Sequence, residues 1–175
     1  MYTDMDFRPE AEPLYQEAKQ IFEKNSGKES SEYTTTVNNL GLLYLNQKKY
    51  PEAESFLNEA RQITEKTLGN NHPDFANTLE DLSLIKTKTK DLSEALSLRT
   101  QAVAIFEKSL GKEHNRYAQN LFSLAELEGL TGKTKQAELD FAASAEIQRK
   151  IISKSTRFLS ERELSSFTAL FKRNY

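Results

Sequence analysis

His72 and His114 are the only histidines in a chain of 175 residues, and they stand 42 residues apart. A transition-metal site needs three or four converging ligands, and neither histidine has a third ligand at a usual spacing. Both read as turn residues beside a helix N-terminus, and no metal is expected. Glu80 and Asp81 are adjacent carboxylates, a pairing that could serve acid/base chemistry. On a helix, however, consecutive side chains point about 100° apart and do not face one another. A solvated face accounts for them. The chain has no cysteine, which removes thiolate nucleophiles, zinc–thiolate sites and disulfides. No phosphate-cradling glycine loop, nucleophile elbow or Ser/His/Asp order is present. The expectation is a protein without catalysis, cofactor or metal.

The elements that carry these residues repeat. Gly27, Gly69 and Gly111 are 42 residues apart, and an aromatic follows each at the same offset: Tyr33, Phe75, Tyr117. Small residues recur in register at Gly41, Ser83 and Ala125, then at Ala53, Ala95 and Ala137, then at Ala60, Ala102 and Ser144. A fixed period of this length predicts a stack of one supersecondary unit, each contacting its neighbours. In the first unit Tyr33, Val37, Leu40, Gly41 and Tyr44 share one helical face. Ala53, Phe56, Leu57, Ala60, Ile63 and Thr64 share another. Between them lies Gln47-Lys48-Lys49-Tyr50-Pro51, a polar turn whose proline suits a first helical turn. Each unit is therefore a helix A, a short turn, a helix B and a glycine-marked turn. Asp91 and Glu94 predict a capping box on the second helix B, and Gly132 marks the turn before the third. The short side chains let helix axes approach to about 8–10 Å.

Bulk composition narrows the partners. Twenty-four Lys and Arg against 26 Asp and Glu leave a net charge of −2. Such a chain exerts no general pull on nucleic acid or an anionic membrane. No apolar run is long enough to span a bilayer, and residues 1–13 do not read as a signal peptide. A cytoplasmic protein is the expectation.

Leu40-Gly41-Leu42-Leu43-Tyr44, followed by Ala53, Leu57 and Ala60, resembles the tetratricopeptide repeat, whose usual length is about 34 residues. Eight extra residues add roughly two helical turns. That longer form looks like the repeats of kinesin light chains, matched in Asn38-Asn39-Leu40-Gly41-Leu42-Leu43-Tyr44, Tyr50-Pro51-Glu52-Ala53-Glu54 and Leu68-Gly69-Asn70-Asn71-His72-Pro73. The resemblance implies an all-α, right-handed α-α superhelical solenoid of helix hairpins over residues 1–152. A lone helix B covers 9–26, and full repeats cover 27–68, 69–110 and 111–152. The start within a unit fits a fragment, or a stack whose first partner helix is missing.

After Ile152 the period lapses, and Ser153 takes the fourth glycine position. Ser160 with Glu163 forms a capping box, Leu159 and Leu164 a staple, and Leu164, Phe167, Leu170 and Phe171 one apolar stripe. Residues 153–175 thus read as a non-repeat helix that caps the stack or links it to a further domain. Arg157-Phe158-Leu159-Ser160-Glu161-Arg162-Glu163 resembles the segment that joins such repeats to the caspase-like CHAT domain in many bacterial proteins. This implies an alternative role as the regulatory or assembly arm of a larger protease.

In tetratricopeptide proteins the inner wall of the curve is lined by helix A positions. Carried onto this chain they are Thr35, Asn38, Asn39, Leu42 and Asn46 in the first unit. The second supplies Asn77, Glu80, Asp81, Leu84 and Lys88, and the third Gln119, Phe122, Ser123, Glu126 and Leu130. Asn38, Asn39, Asn77 and Gln119 can both donate to and accept from a peptide backbone. Leu42, Leu84 and Phe122 can seat apolar side chains. Glu80, Asp81 and Glu126 make the middle acidic, which favours a neutral or basic segment. The expected partner is a protein or peptide on this concave surface, with self-association through the open ends also open. Three positions depart from the pattern: Tyr44 becomes Lys86 and Glu128, and Leu57 becomes Arg99. Lys86 and Glu128 could pair across neighbouring A helices, though drift is the simpler account.

Overall fold

The computed structural model describes residues 11–157, which form seven α-helices and no strand. They are α1 (Ala11–Asn25), α2 (Ser31–Asn46), α3 (Tyr50–Leu68), α4 (Pro73–Lys88), α5 (Leu92–Leu110), α6 (Asn115–Leu130) and α7 (Thr134–Arg157). The A helices α2, α4 and α6 have 16 residues each, and the B helices α3 and α5 have 19. Each helix packs chiefly on its neighbours in sequence, and α2 also touches α4. This is the nearest-neighbour pattern of a solenoid, as the period predicts. The residues forming the expected capping box and stripe over 159–171, and Pro9, lie outside those described.

Local chemistry sets the boundaries. Gly27, Gly69 and Gly111 have φ of 82°, 86° and 85°, a left-handed backbone that side chains other than glycine adopt at a cost. Asp91 accepts from the Glu94 amide at 3.1 Å, one half of the expected capping box. The other half does not form, because the Glu94 carboxylate turns to Lys86 at 2.9 Å and the Asp91 amide donates to the Lys86 carbonyl. His72 and His114 are N-caps: each Nδ1 accepts an amide hydrogen two residues on, from Asp74 and Arg116, at 3.1 Å. Where Gly69 and Gly111 end α3 and α5, Ser153 leaves α7 running for 24 residues.

The small-residue columns sit at the crossings. Gly41, Ala53, Ala60, Ser83, Ala95, Ala102, Ala125, Ala137 and Ser144 are all buried. Two of the serines tie neighbouring helices together. Ser83 Oγ donates to the Ala95 carbonyl, and Ser144 Oγ to the Ala118 carbonyl, both at 2.8 Å. Gly41 has the closest approach: a Cβ built on it would lie 2.6 Å from Leu57 Cγ.

Candidate functional site

Because the B helices cover one side of α2, α4 and α6, the opposite stripe of each A helix is left to form a wall. Thr35 and Asn46 are exposed on α2, while Asn38, Asn39 and Leu42 are half-buried. On α4, Asn77, Glu80 and Asp81 are half-buried, and Leu84 and Lys88 are exposed. On α6, Gln119, Phe122, Glu126 and Leu130 are exposed, and Ser123 is half-buried. Not all of these come together. Thr35, Asn38 and Asn77 line one cleft of about 290 Å³ between α2 and α4, floored by Ala60 and Thr64 of α3. Phe122 instead leans on Phe141 of α7, ring edge to face at 5.1 Å. The side chains of Asn38 and Asn39 have no hydrogen-bond partner among the described residues, so their side-chain amides remain available.

The middle of the wall is closed on itself. Arg99 rises from α5 and is 6% exposed. Its guanidinium donates to Asn120 Oδ1 of α6 at 2.7 Å and to the Glu80 carbonyl at 3.3 Å, and lies 3.7 Å from the Glu80 carboxylate. Arg116 reaches the same carboxylate at 3.0 Å and also donates to Asn77 Oδ1. Asn120 Nδ2 donates to Glu80 at 3.1 Å. Burial lowers the Arg99 guanidinium from its ordinary value, and the Glu80 and Asp81 carboxylates oppose that shift. Glu80 is therefore not on a solvated face: it is the acceptor at the centre of a network joining α4, α5 and α6. Asp81 has no such partner. Burial, followed by the neighbouring Glu80 charge, pushes its carboxyl up to about 7, with Arg99 and Arg116 opposing. The two arginines balance Glu80 and Asp81, so the middle of the wall carries less negative charge than its carboxylates alone suggest.

The departures from the pattern are also structural rather than drift. Lys86 sits between Glu54 of α3 at 2.7 Å and Glu94 of α5 at 2.9 Å. It does not meet Glu128. Tyr44, its counterpart one unit earlier, reaches Glu12 in the same manner at 2.8 Å. The third member of the column, Glu128, is buried, and desolvation and then Asp140 raise its carboxyl. Arg99, Arg116 and Asn120 were absent from the wall residues inferred from sequence. Only the break at Arg99 in the Leu57 column marked them.

A profile of the tetratricopeptide repeat family matches residues 1–66, 32–108 and 74–150, in step with the helix pairs. The chain belongs to the tetratricopeptide repeat family. Such repeats generally mediate protein–protein interaction and are generally not enzymes. Among solved structures, BtubC (BKLC) from P. vanneervenii is similar at a TM-score of 0.74 and 21% identity, over 81% of this chain and 56% of that one. This chain thus spans little more than half of BtubC. A Podosopora anserina protein described as a kinesin light chain with nearly identical TPR-like repeats gives 0.63 at 23% identity, over 87% and 69%. A point variant of that protein gives 0.64 at 20%, over 86% and 81%. At these identities the likeness is one of tetratricopeptide fold. Comparison with curated proteins found no match. Among the described residues of this tetratricopeptide chain, no helix is long and apolar enough to cross a membrane, and no three His, Asp or Glu converge for a metal.

Proposed function

We propose that the wall of α2, α4 and α6 binds an extended segment of a partner protein, and that the chain is a non-catalytic interaction scaffold. The observation that carries this reading is the convergence of Thr35, Asn38 and Asn77 on one cleft, with the Asn38 and Asn39 amides unused inside the fold. An amide that offers both a donor and an acceptor matches the repeating N–H and C=O of an extended chain. Asn77 is less free, since it already accepts from Arg116 and donates to Asp74 at 3.3 Å. The discriminating variant is therefore Asn38→Ala with Asn39→Ala, which leaves the Arg116 contacts in place. Decapeptides selected on a displayed random library against the wild type are expected to bind this variant at least about tenfold more weakly, a loss of roughly 1.4 kcal/mol. Fluorescence polarisation measures it, with circular dichroism as the folding control. Unchanged affinity would show that the peptides bind elsewhere.

A further inference from the structure

The α2–α4 cleft is walled by hydroxyls and amides, and it stays open because its residues are small. One unit on, the positions of Thr64, Asp74 and Thr78 are held by Phe106, Arg116 and Asn120. There the side chains occupy the gap between α4 and α6. The Arg116 guanidinium lies over the Phe106 ring at 5.3 Å, and Arg116 and Asn120 donate to Glu80, the counterpart of Asn38. The chain thus fills its second gap with planar N–H groups of its own and leaves the first open. Thr34, Thr67 and Thr78 donate their hydroxyl hydrogens to the carbonyls four residues back, at 2.9, 2.8 and 3.0 Å. What those hydroxyls have left to offer a ligand is lone pairs. Thr64 differs. It is only 3% exposed and its side chain makes no hydrogen bond among the described residues, yet what remains accessible includes its hydroxyl oxygen. A polar group so deeply buried and unpaired is costly until something supplies a partner. The Asn38 side-chain amide on the same cleft is also unused. The two charged residues of the lining call for no counter-ion: Glu29 pairs with Lys66, and Asp74 is exposed to water and accepts from Asn77.

We infer that the α2–α4 cleft takes the carboxamide side chain of a glutamine or asparagine in the bound segment. Among side chains, only a carboxamide carries two N–H donors and a carbonyl acceptor on one neutral plane. Its N–H groups meet the threonine lone pairs, and its carbonyl accepts from the Thr64 hydroxyl or the Asn38 amide. Glutamate has the same shape but no donor, lysine donates but cannot accept, and norleucine does neither. The inference rests on the groove reading above and specifies one side chain of the segment that reading binds. A cleft of about 290 Å³ has room for that side chain and its flanking backbone.

An array of immobilised decapeptides tests this, with each position fixed in turn as Gln, Asn, Glu, Lys or norleucine and the others randomised. The wild-type chain is expected to be retained about tenfold more strongly by Gln or Asn than by Glu, Lys or norleucine at one position, as one or two hydrogen bonds imply. Thr64→Val, the same shape without the hydroxyl, is expected to cut that preference to about threefold or less while norleucine peptides are retained as before. Thr64→Ser keeps the hydroxyl and should keep the preference. Because the Thr64 hydroxyl bonds to nothing within the fold, Thr64→Val should leave Tm unchanged or raised. A fall in Tm of several degrees, equal retention of Gln and norleucine peptides, a preference for Lys, or a Gln preference that survives Thr64→Val would each overturn the carboxamide site and leave the groove reading standing. Retention indifferent to Asn38→Ala with Asn39→Ala, or no retention at all, would overturn both.

Discussion

Arg99 shows how much a single position can hide in a periodic sequence. The repeat places it in the column of Leu57, and period alone treats a charged residue there as an irregularity. Its partners lie 19 and 21 residues away on two other helices, and pairings of that kind have no local signature in sequence. The same limit applies to Glu80 and Asp81. Helical spacing correctly separates the two side chains, but only packing shows that one accepts hydrogen bonds from Arg116 and Asn120 and the other accepts none. Removing one member of a buried ion pair strands the rest, so Arg99→Ala is expected to cost about 3 kcal/mol or more in urea unfolding. Arg99→Lys should recover little, since an ammonium lacks the planar fork that spans Asn120 and the Glu80 carbonyl. Asp81 makes the opposite prediction. Its carboxyl is raised from about 4 in an unfolded chain to about 7 in the folded one, so between those values the folded state holds the extra proton. Stability from this group is thus fully present below about pH 4 and is lost as the pH rises through about 7. Asp81→Asn, which is neutral throughout, is expected to raise Tm at pH 8 and to flatten the fall in Tm between pH 5 and 8. A Tm–pH profile identical to wild type would refute the assignment.

Helices and their turns were far more legible, because what sets them is local and recurs. The glycine at each unit boundary, the proline near the start of α3 and the small-residue columns all found the places that spacing gave them. The turns between A and B helices carry a subtler regularity. Lys48, Lys90 and Gly132 are equivalent, and all three have left-handed backbone, with φ of 61°, 66° and 81°. Two lysines therefore hold a conformation that glycine reaches without strain. Nothing lies within 4 Å of a Cβ built on Gly132, so Gly132→Ala isolates the backbone term and should cost about 1 kcal/mol. Lys90→Gly should gain up to a similar amount, reduced by the added freedom of the unfolded chain. Gly41→Ala fails for a different reason. Alanine improves helix propensity by about 1 kcal/mol, but its Cβ would lie 2.6 Å from Leu57 Cγ, and overpacking typically costs about 1–3 kcal/mol. Net destabilisation is expected, relieved when Leu57 is shortened to Ala in the same chain. Additive losses in that double variant would mean that the Gly41–Leu57 contact is not the cause.

At the scale of the whole molecule, stability is distributed along the stack rather than shared through one closed core. The larger buried cluster runs from Leu40 on α2 to Leu124 on α6, and a smaller one joins Tyr33, Val37 and Ala60. No residue of α1 is buried, and on α7 only Ala137 and Ser144 are, out of those described. By contrast, α4 buries seven residues and α5 six, each sandwiched between helices on both sides. In a nearest-neighbour stack an outer helix can open while giving up only one interface, whereas a central helix must give up two. Native-state hydrogen exchange should therefore be graded: amides of α1 exchange fastest, and those of α4 and α5 exchange only near the full unfolding free energy. The Arg99–Glu80–Asn120 network sharpens the gradient, because it joins α4, α5 and α6 through side chains of all three. Arg99→Ala should accordingly lower protection in α4, α5 and α6 together while leaving α1 as it was. Uniform exchange across all seven helices, shifting as one on that substitution, would mean that the chain unfolds as a single cooperative globule.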